Sequence, residues 1–309
     1  MRRIFKPLTT HSSRLFSTSR FIMGDAILKR NPHPDFKKVE ASRPELDAKS
    51  QFRYTKTVDA DWTFGEGANK LGKDDGDKKH VTIDPHEEGR PAGFNYKLLI
   101  SAIVPRPIAF VSSQAPDGTK KNLAPFSYFN MMGHDPPMFV VGFASGLANA
   151  KDTLRNVSES GECVINIISE HFIEAANSAS VNAPADVSEW DISGLTPKYD
   201  CETVKCARVG EAIVSIECKL DMLKEFDSKV RPGNKSGCMA VFEGTRFWVR
   251  EDALNEDKNM VDPGVLKPVS RLGGITYARV TEAFEIPRTD FDKDVGGQEG
   301  AEKIQKQKN

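Results

Sequence analysis
Long apolar runs are missing from this 309-residue chain. None approaches the roughly 18 residues of a membrane-spanning helix, so no membrane insertion is expected. An excess of one charge sign is missing too: 43 Lys and Arg face 44 Asp and Glu, which leaves no basic field for nucleic acid. Cysteine is scarce and odd in number, at 163, 201, 206, 218 and 238, as in a reducing compartment and unlike a disulfide scaffold. Cys201 and Cys206 lack a second Cys or His pair at zinc spacing, so no metal site is expected. There is no G-x-S-x-G, no H-E-x-x-H, and no G-x-G-x-x-G between a strand and a helix. "GANKLGKD", Gly67 to Asp74, imitates a phosphate loop until Asp74, which would repel a phosphate. His134, before Asp135-Pro136, reads as a turn residue, and no nucleophile has a visible base. No catalytic residue is assigned.

The first 23 residues differ in kind. They carry Arg2, Arg3, Lys6, Arg14 and Arg20, seven Ser or Thr and no acid, the composition of a mitochondrial presequence. The expected location is the mitochondrial matrix, with a cytoplasmic form if translation starts at Met23. Residues 24–92 are polar and turn-rich and read as an extension; 93–290 have globular texture; 291–309 form a polar tail.

Within the globular part, "NYKLLISAIV" fits a short helix. "PIAFVSSQ" and "DGTKKNLAPFSYF" read as strands joined by an Asp117-Gly118 turn. "PPMFVVGFA" and "CVINIIS" are strands, "KDTLRNVSESG" and "EHFIEAANSAS" helices, and "DVSEWDISGLTPKYD" an irregular loop. "AIVSIECKLDMLKEF", "GCMAVFEGTRFWV" and "GGITYARVTEAFEI" complete the strands. Many strands without regular βαβ alternation exclude a doubly wound fold and favour a closed or nearly closed antiparallel barrel.

A chain without protein acids or bases still does chemistry if a cofactor carries it. The helix start at Lys151, Asp152 and Thr153 offers N–H groups, a dipole and a cation suited to an anion. On spacing alone an ordinary capped helix is the better-supported account. Ser112, Ser113 and Ser127 read equally as backbone-satisfying hydroxyls or ligand contacts.

The ordered set "PRPIAFVSSQAPDGTKKNLAPFSYFNMMGHDPPMFVVGF", "KDTLRNVSESGECVINII", "GLTP", "AVFEGTRFWVREDAL" and "LKPVSRLGGITYARV" resembles the flavin reductase-like family. The resemblance implies a mainly β fold with inserted helices: an antiparallel Greek-key FMN-binding split barrel, usually a homodimer with FMN near the subunit interface. It implies FMN contacts from Asn122, Leu123, Ala124, Ser127, Ser112, Ser113, Lys151, Asp152 and Thr153, and a contact or dimer-seam role for Arg271. It implies an oxidoreductase in which NADH or NADPH reduces the flavin and electrons pass to free flavin, a partner or a small acceptor. Phe126, Phe129 and Trp248 are the candidate walls for nicotinamide; plain core packing is the alternative for each, and the better-supported account for Phe126. A flavin carrier or sensor without turnover, and a mitochondrial interaction protein on the same barrel, are the alternatives. The chain departs from the family in the polar insertion 226–237, in the extended loop "NEDKNMVDPG", and at Trp248, where many members carry His.

Overall fold
The computed structural model describes residues 22–23, 26–27, 35–47, 51–72, 75–184 and 186–307. Residues 1–21, where most of the expected presequence falls, lie outside the described residues. The chain divides into two compact units, residues 1–50 and 51–309. The first holds a two-residue strand pair, Ile22–Met23 with Ala26–Ile27, and a short helix, Phe36–Ala41.

The second unit is built on a seven-stranded antiparallel sheet. Its strands are β1 (Ala109–Ser113), β2 (Asn122–Phe126), β3 (Phe129–His134), β4 (Pro137–Phe143), β5 (Glu162–Ile167), β6 (Val214–Asp227) and β7 (Lys235–Val249). The spatial order is β2-β1-β5-β6-β7-β4-β3. β2 and β3 are therefore opposite edges, yet only Ser127 and Tyr128 separate them. Six spacings in a flat sheet would span about 29 Å, whereas a two-residue connection reaches about 10 Å. The sheet must curl until its edges nearly meet. They are not paired with each other, and the Tyr128 carbonyl instead accepts from Gly142 N–H of β4 at 2.7 Å. A seam is left open there.

Packing follows the two-residue alternation of strands. Ala109 and Val111 join Phe139, Val141, Ile165, Phe242 and the helix residues Leu154 and Val157 in one core. Phe110, between them, points into a second core with Leu123, Phe172, Trp190 and Val209. Burial on both faces explains why β1 reads as a continuous run. Gly244 in β7 is required by close approach: a Cβ there would stand 2.9 Å from the Phe139 ring.

Five helices complete the labelled elements: α1 (Ala92–Ala102), α2 (Asp152–Ser160), α3 (Ile173–Ser178), α4 (Glu189–Ser193) and α5 (Gly297–Gln307). α2 stops at Gly161, which holds φ 70° as a left-handed cap. Four sequence expectations differ. "GGITYARVTEAFEI", expected as a strand, yields only the short strands Tyr277–Arg279 and Glu282–Ala283, neither of them in the seven-stranded sheet. The segment read as an irregular loop contains α4, started by Ser188, whose hydroxyl accepts from Trp190 N–H at 3.3 Å. β3 is a strand of its own, whereas the sequence reads one strand through "NLAPFSYF" and none after it before "PPMFVVGFA". The insertion 226–237 is mostly the outer end of the β6–β7 hairpin, closed by Ser228 N–H donating to Asn234 O at 2.8 Å. At the C-terminus α5 lies against the extension, with Ile304 at Gly65, and Arg53 pairs with Glu282 at 2.7 Å.

Candidate functional site
A cavity of about 420 Å³ opens at the seam, within the size range of small-molecule sites. Its walls come from the β2–β3 connection, the end of β4, the first turn of α2 and the segment 179–183. Six sequence-predicted residues line it: Asn122, Ala124, Ser127, Lys151, Asp152 and Thr153. Residues 128–150 separate the two groups in sequence, and the curl of the sheet brings them together.

Asp152, Thr153 and Leu154, the first turn of α2, line this wall, and helix geometry leaves their N–H groups without an intrahelical acceptor. Lys151, the N-cap residue, is exposed, and its Nζ reaches Asn182 Oδ1 at 3.4 Å. The Asp152 charge works against an anion, but Arg155 folds back over it. Its Nη1 lies 2.9 Å from Asp152 Oδ1, and its Nη2 donates to Ala150 O at 2.8 Å. Thr153 is buried, with its hydroxyl donating to the Asn122 amide oxygen at 2.6 Å. That amide then directs its NH₂ to Glu189 Oε2 at 3.0 Å. Burial pushes the Glu189 carboxyl upward; backbone N–H groups of Glu189 and Leu123 oppose this, and the Asp152 charge adds to it.

Ser127 is set by Arg106, a buried cation whose sequence context gave no hint of its role. Its Nη1 donates to Ile100 O at 2.6 Å and Ile103 O at 2.7 Å, its Nη2 to Leu272 O at 2.9 Å, and its Nε to Ser127 Oγ at 3.4 Å. The guanidinium thus caps the C-terminus of α1 and fixes the cavity wall together.

Four expected contacts stand elsewhere. The Ser112 hydroxyl donates to Ala207 O, and the Ser113 hydroxyl accepts from Asn156 Nδ2 at 3.2 Å. Leu123 is fully buried in the second core. Arg271 lies over the Tyr277 ring at 4.2 Å and donates to Gly274 O at 2.7 Å; its backbone pairs with Arg106. Of the aromatic walls, Phe126 lines the cavity and meets Phe143 edge-on at 4.9 Å. Phe129 stacks on Phe139 instead.

Trp248 also lies outside the cavity. Its indole donates to Glu217 Oε1 at 2.6 Å, beneath Arg208 at 4.6 Å. Glu217 is wholly buried. Burial raises its carboxyl, yet donors from the Thr203 hydroxyl, Trp248, Glu202 N and Thr203 N outweigh this and hold it at about 2.

The sequence profile described as "Flavin reductase like domain" matches residues 101–266, more than half of the chain. The chain belongs to the flavin reductase-like family. An uncharacterised protein of Halalkalibacterium halodurans is 34% identical over 197 residues, covering 63% of this chain and 90% of its own. The crystal structure of nitrilotriacetate monooxygenase component B from Bacillus cereus is similar, with TM-score 0.63 and 33% identity, over 68% of this chain and 100% of that one. The 2-nitrobenzoate 2-nitroreductase NbaA of Pseudomonas fluorescens gives 0.59 and 30%, over 69% and 98%.

These relatives correct the expected location. Four curated relatives are bacterial proteins, and bacteria have no mitochondria. The mitochondrial-matrix assignment is withdrawn. Among the described residues no helix is long and apolar enough to cross a membrane.

Proposed function
We propose that the protein is an FMN-dependent oxidoreductase, taking electrons from NADH or NADPH and passing them to free flavin, a partner protein or a small acceptor. The observation that carries this reading is the seam cavity, where a helix N-terminus, a lysine, a serine, an asparagine and an aromatic wall converge. The donor set fits the group. Lys151 and the N–H groups of Asp152, Thr153 and Leu154 would hold the phosphate. Asn122, Ala124 and Ser127 would face the polar edges, and Phe126 the apolar surface. When bound, the flavin supplies the redox centre.

The chain's own part is to bind and orient. Arg106 keeps the Ser127 wall in place, and the Thr153–Asn122–Glu189 chain locks the amide of Asn122 in one orientation. Ser112, Ser113 and Leu123 act one layer behind, packing β1 and β2 on α2 and the second core.

The same reading includes a homodimer on a Greek-key split barrel formed by residues 93–290. Among the described side chains of α1, Ile100 alone is buried, while Tyr96 and Tyr128 are both exposed and lining the cavity. Phe94, Leu99, Ile103, Met131 and Met132 are further exposed apolar side chains on or beside α1 and β3, the kind of surface that marks an interface when contiguous. A second copy would cover it.

An absorbance scan of the purified full chain with added FMN, followed by assays with NADH and NADPH, tests the proposal. Retained flavin absorbance with oxidation of either nucleotide supports it. Retained flavin with neither oxidised leaves a carrier, and no retained flavin refutes it. Sedimentation as a monomer at micromolar concentration would remove the dimer.

A further inference from the structure
Glu189 is 6% exposed, lines the seam cavity, and forms no ion pair among the described residues. Its position is fixed rather than incidental. Ser188, just before it, accepts from Trp190 N–H and donates its hydroxyl proton to Lys121 O at 3.0 Å, which pins the start of α4 to the start of β2. The Asn122 amide then joins Glu189 to Thr153, so α4, β2 and α2 meet at one hydrogen-bonded chain.

The charges around it are few. α2 contributes Asp152 and Lys151, and Arg155 covers Asp152 at 2.9 Å. β2 contributes the neutral Asn122, and the segment 179–183 contributes Ser180 and Asn182, with no titratable group. On α4 itself Asp191 is exposed. Lys151 is the one cation among the lining residues. A phosphate monoester held there engages that cation and adds about −1.5 to −2 charge. Two carboxylates and a phosphate would then share one lysine, with Arg155 already committed to Asp152. Glu189 is the more buried of the two acids, so neutralising it is the least costly relief.

Resting on the flavin reading above, we propose that Glu189 is the proton acceptor of the pocket: its carboxylate takes one proton from solvent as a phosphate-bearing ligand enters. The upward push that burial gives this carboxyl agrees in direction. The sign of the linkage follows. Ligand raises the proton affinity of Glu189, so binding takes up a proton at pH values between the ligand-free and ligand-bound pKa. Affinity therefore falls as pH rises through that interval.

Calorimetric titration of the full chain with FMN, in buffers of different ionisation heat, counts the protons. The ionisation of the FMN phosphate itself is common to wild type and Glu189→Gln and cancels in their difference. The wild type should take up as much as one proton more than E189Q, and its affinity should fall up to about tenfold per pH unit in the sensitive interval. E189Q should lack that component. Infrared difference spectra of the wild type alone give a second readout that does not depend on the variant folding: FMN should bring up a neutral-carboxyl band. Equal proton counts, or no neutral-carboxyl band in the wild type, overturn the assignment while leaving the flavin site intact. No FMN binding by the wild type overturns both.

Discussion

Glu217 offers the sharpest test of how the curled sheet is held together. Its carboxylate joins β6 to the 202–203 loop and to Trp248 of β7, with donors at 2.9 Å from Glu202 N, 2.5 Å from Thr203 N and Oγ1, and 2.6 Å from Trp248 Nε1. These donors carry the carboxyl from an ordinary 4.5 to about 2 against the cost of burial. Each tenfold change in proton affinity is worth about 1.4 kcal/mol, so the ionised form contributes roughly 3 kcal/mol to stability. The folded-state pKa is depressed. The contribution is therefore complete above about pH 4.5 and is lost as pH falls from there through about 2. Urea unfolding of wild type and Glu217→Gln near pH 7 should differ by about 3 kcal/mol, because an amide returns an NH₂ to a site lined by donors. Near pH 3 the difference should shrink to roughly half or less. A gap below about 1 kcal/mol near neutrality, or one that does not change with pH, would refute the reasoning.

Three further outcomes are expected. Arg106→Met strands the carbonyls of Ile100, Ile103 and Leu272 and should destabilise by about 3–5 kcal/mol in chemical unfolding; Arg106→Lys, lacking the fork, should recover only part of that. Lys151→Ala should weaken FMN binding by about 1.5–3 kcal/mol through loss of a charge-assisted contact, with the melting temperature of the ligand-free protein unchanged because Lys151 is exposed. Gly161→Ala meets open space but must hold a left-handed φ of 70° and should cost about 1 kcal/mol in thermal or urea unfolding.

Much of the fold was legible because strand signals are local. "PIAFVSS", "PPMFVVGFA" and "CVINIIS" are apolar runs of strand length; the structure buries the first and last on both faces, whereas "PPMFVVGFA", also read as doubly buried, alternates between buried Phe139, Val141 and Phe143 and half-buried neighbours. Ser188 to Ser193 was not legible as a helix. It is a single turn with little periodicity, held by one cap and by Trp190 in the second core. β3 escaped because most of its residues are exposed at a sheet edge, where alternation is weak. The site was legible in part for the same reason. A helix start with Lys151 is visible in the sequence, and so is the polar-aromatic mix of Asn122 to Ser127. Arg106, Arg155 and Glu189 were not, because their roles depend on partners many residues away or on a carbonyl's direction. Ser112 and Ser113 carried two readings in the sequence, and the structure shows both hydroxyls engaged within the protein. A capped helix and a phosphate anchor also look alike in sequence; what separates them is that the curled sheet leaves a cavity before the first turn of α2.

Equilibrium titration of the full-length protein with FMN, followed by quenching of flavin fluorescence, tests the central claim most directly. The account predicts saturable binding of about one FMN per chain, weakened about ten- to a hundredfold by Lys151→Ala. Unquenched flavin fluorescence at all protein concentrations, or equal affinity in the variant, would contradict it.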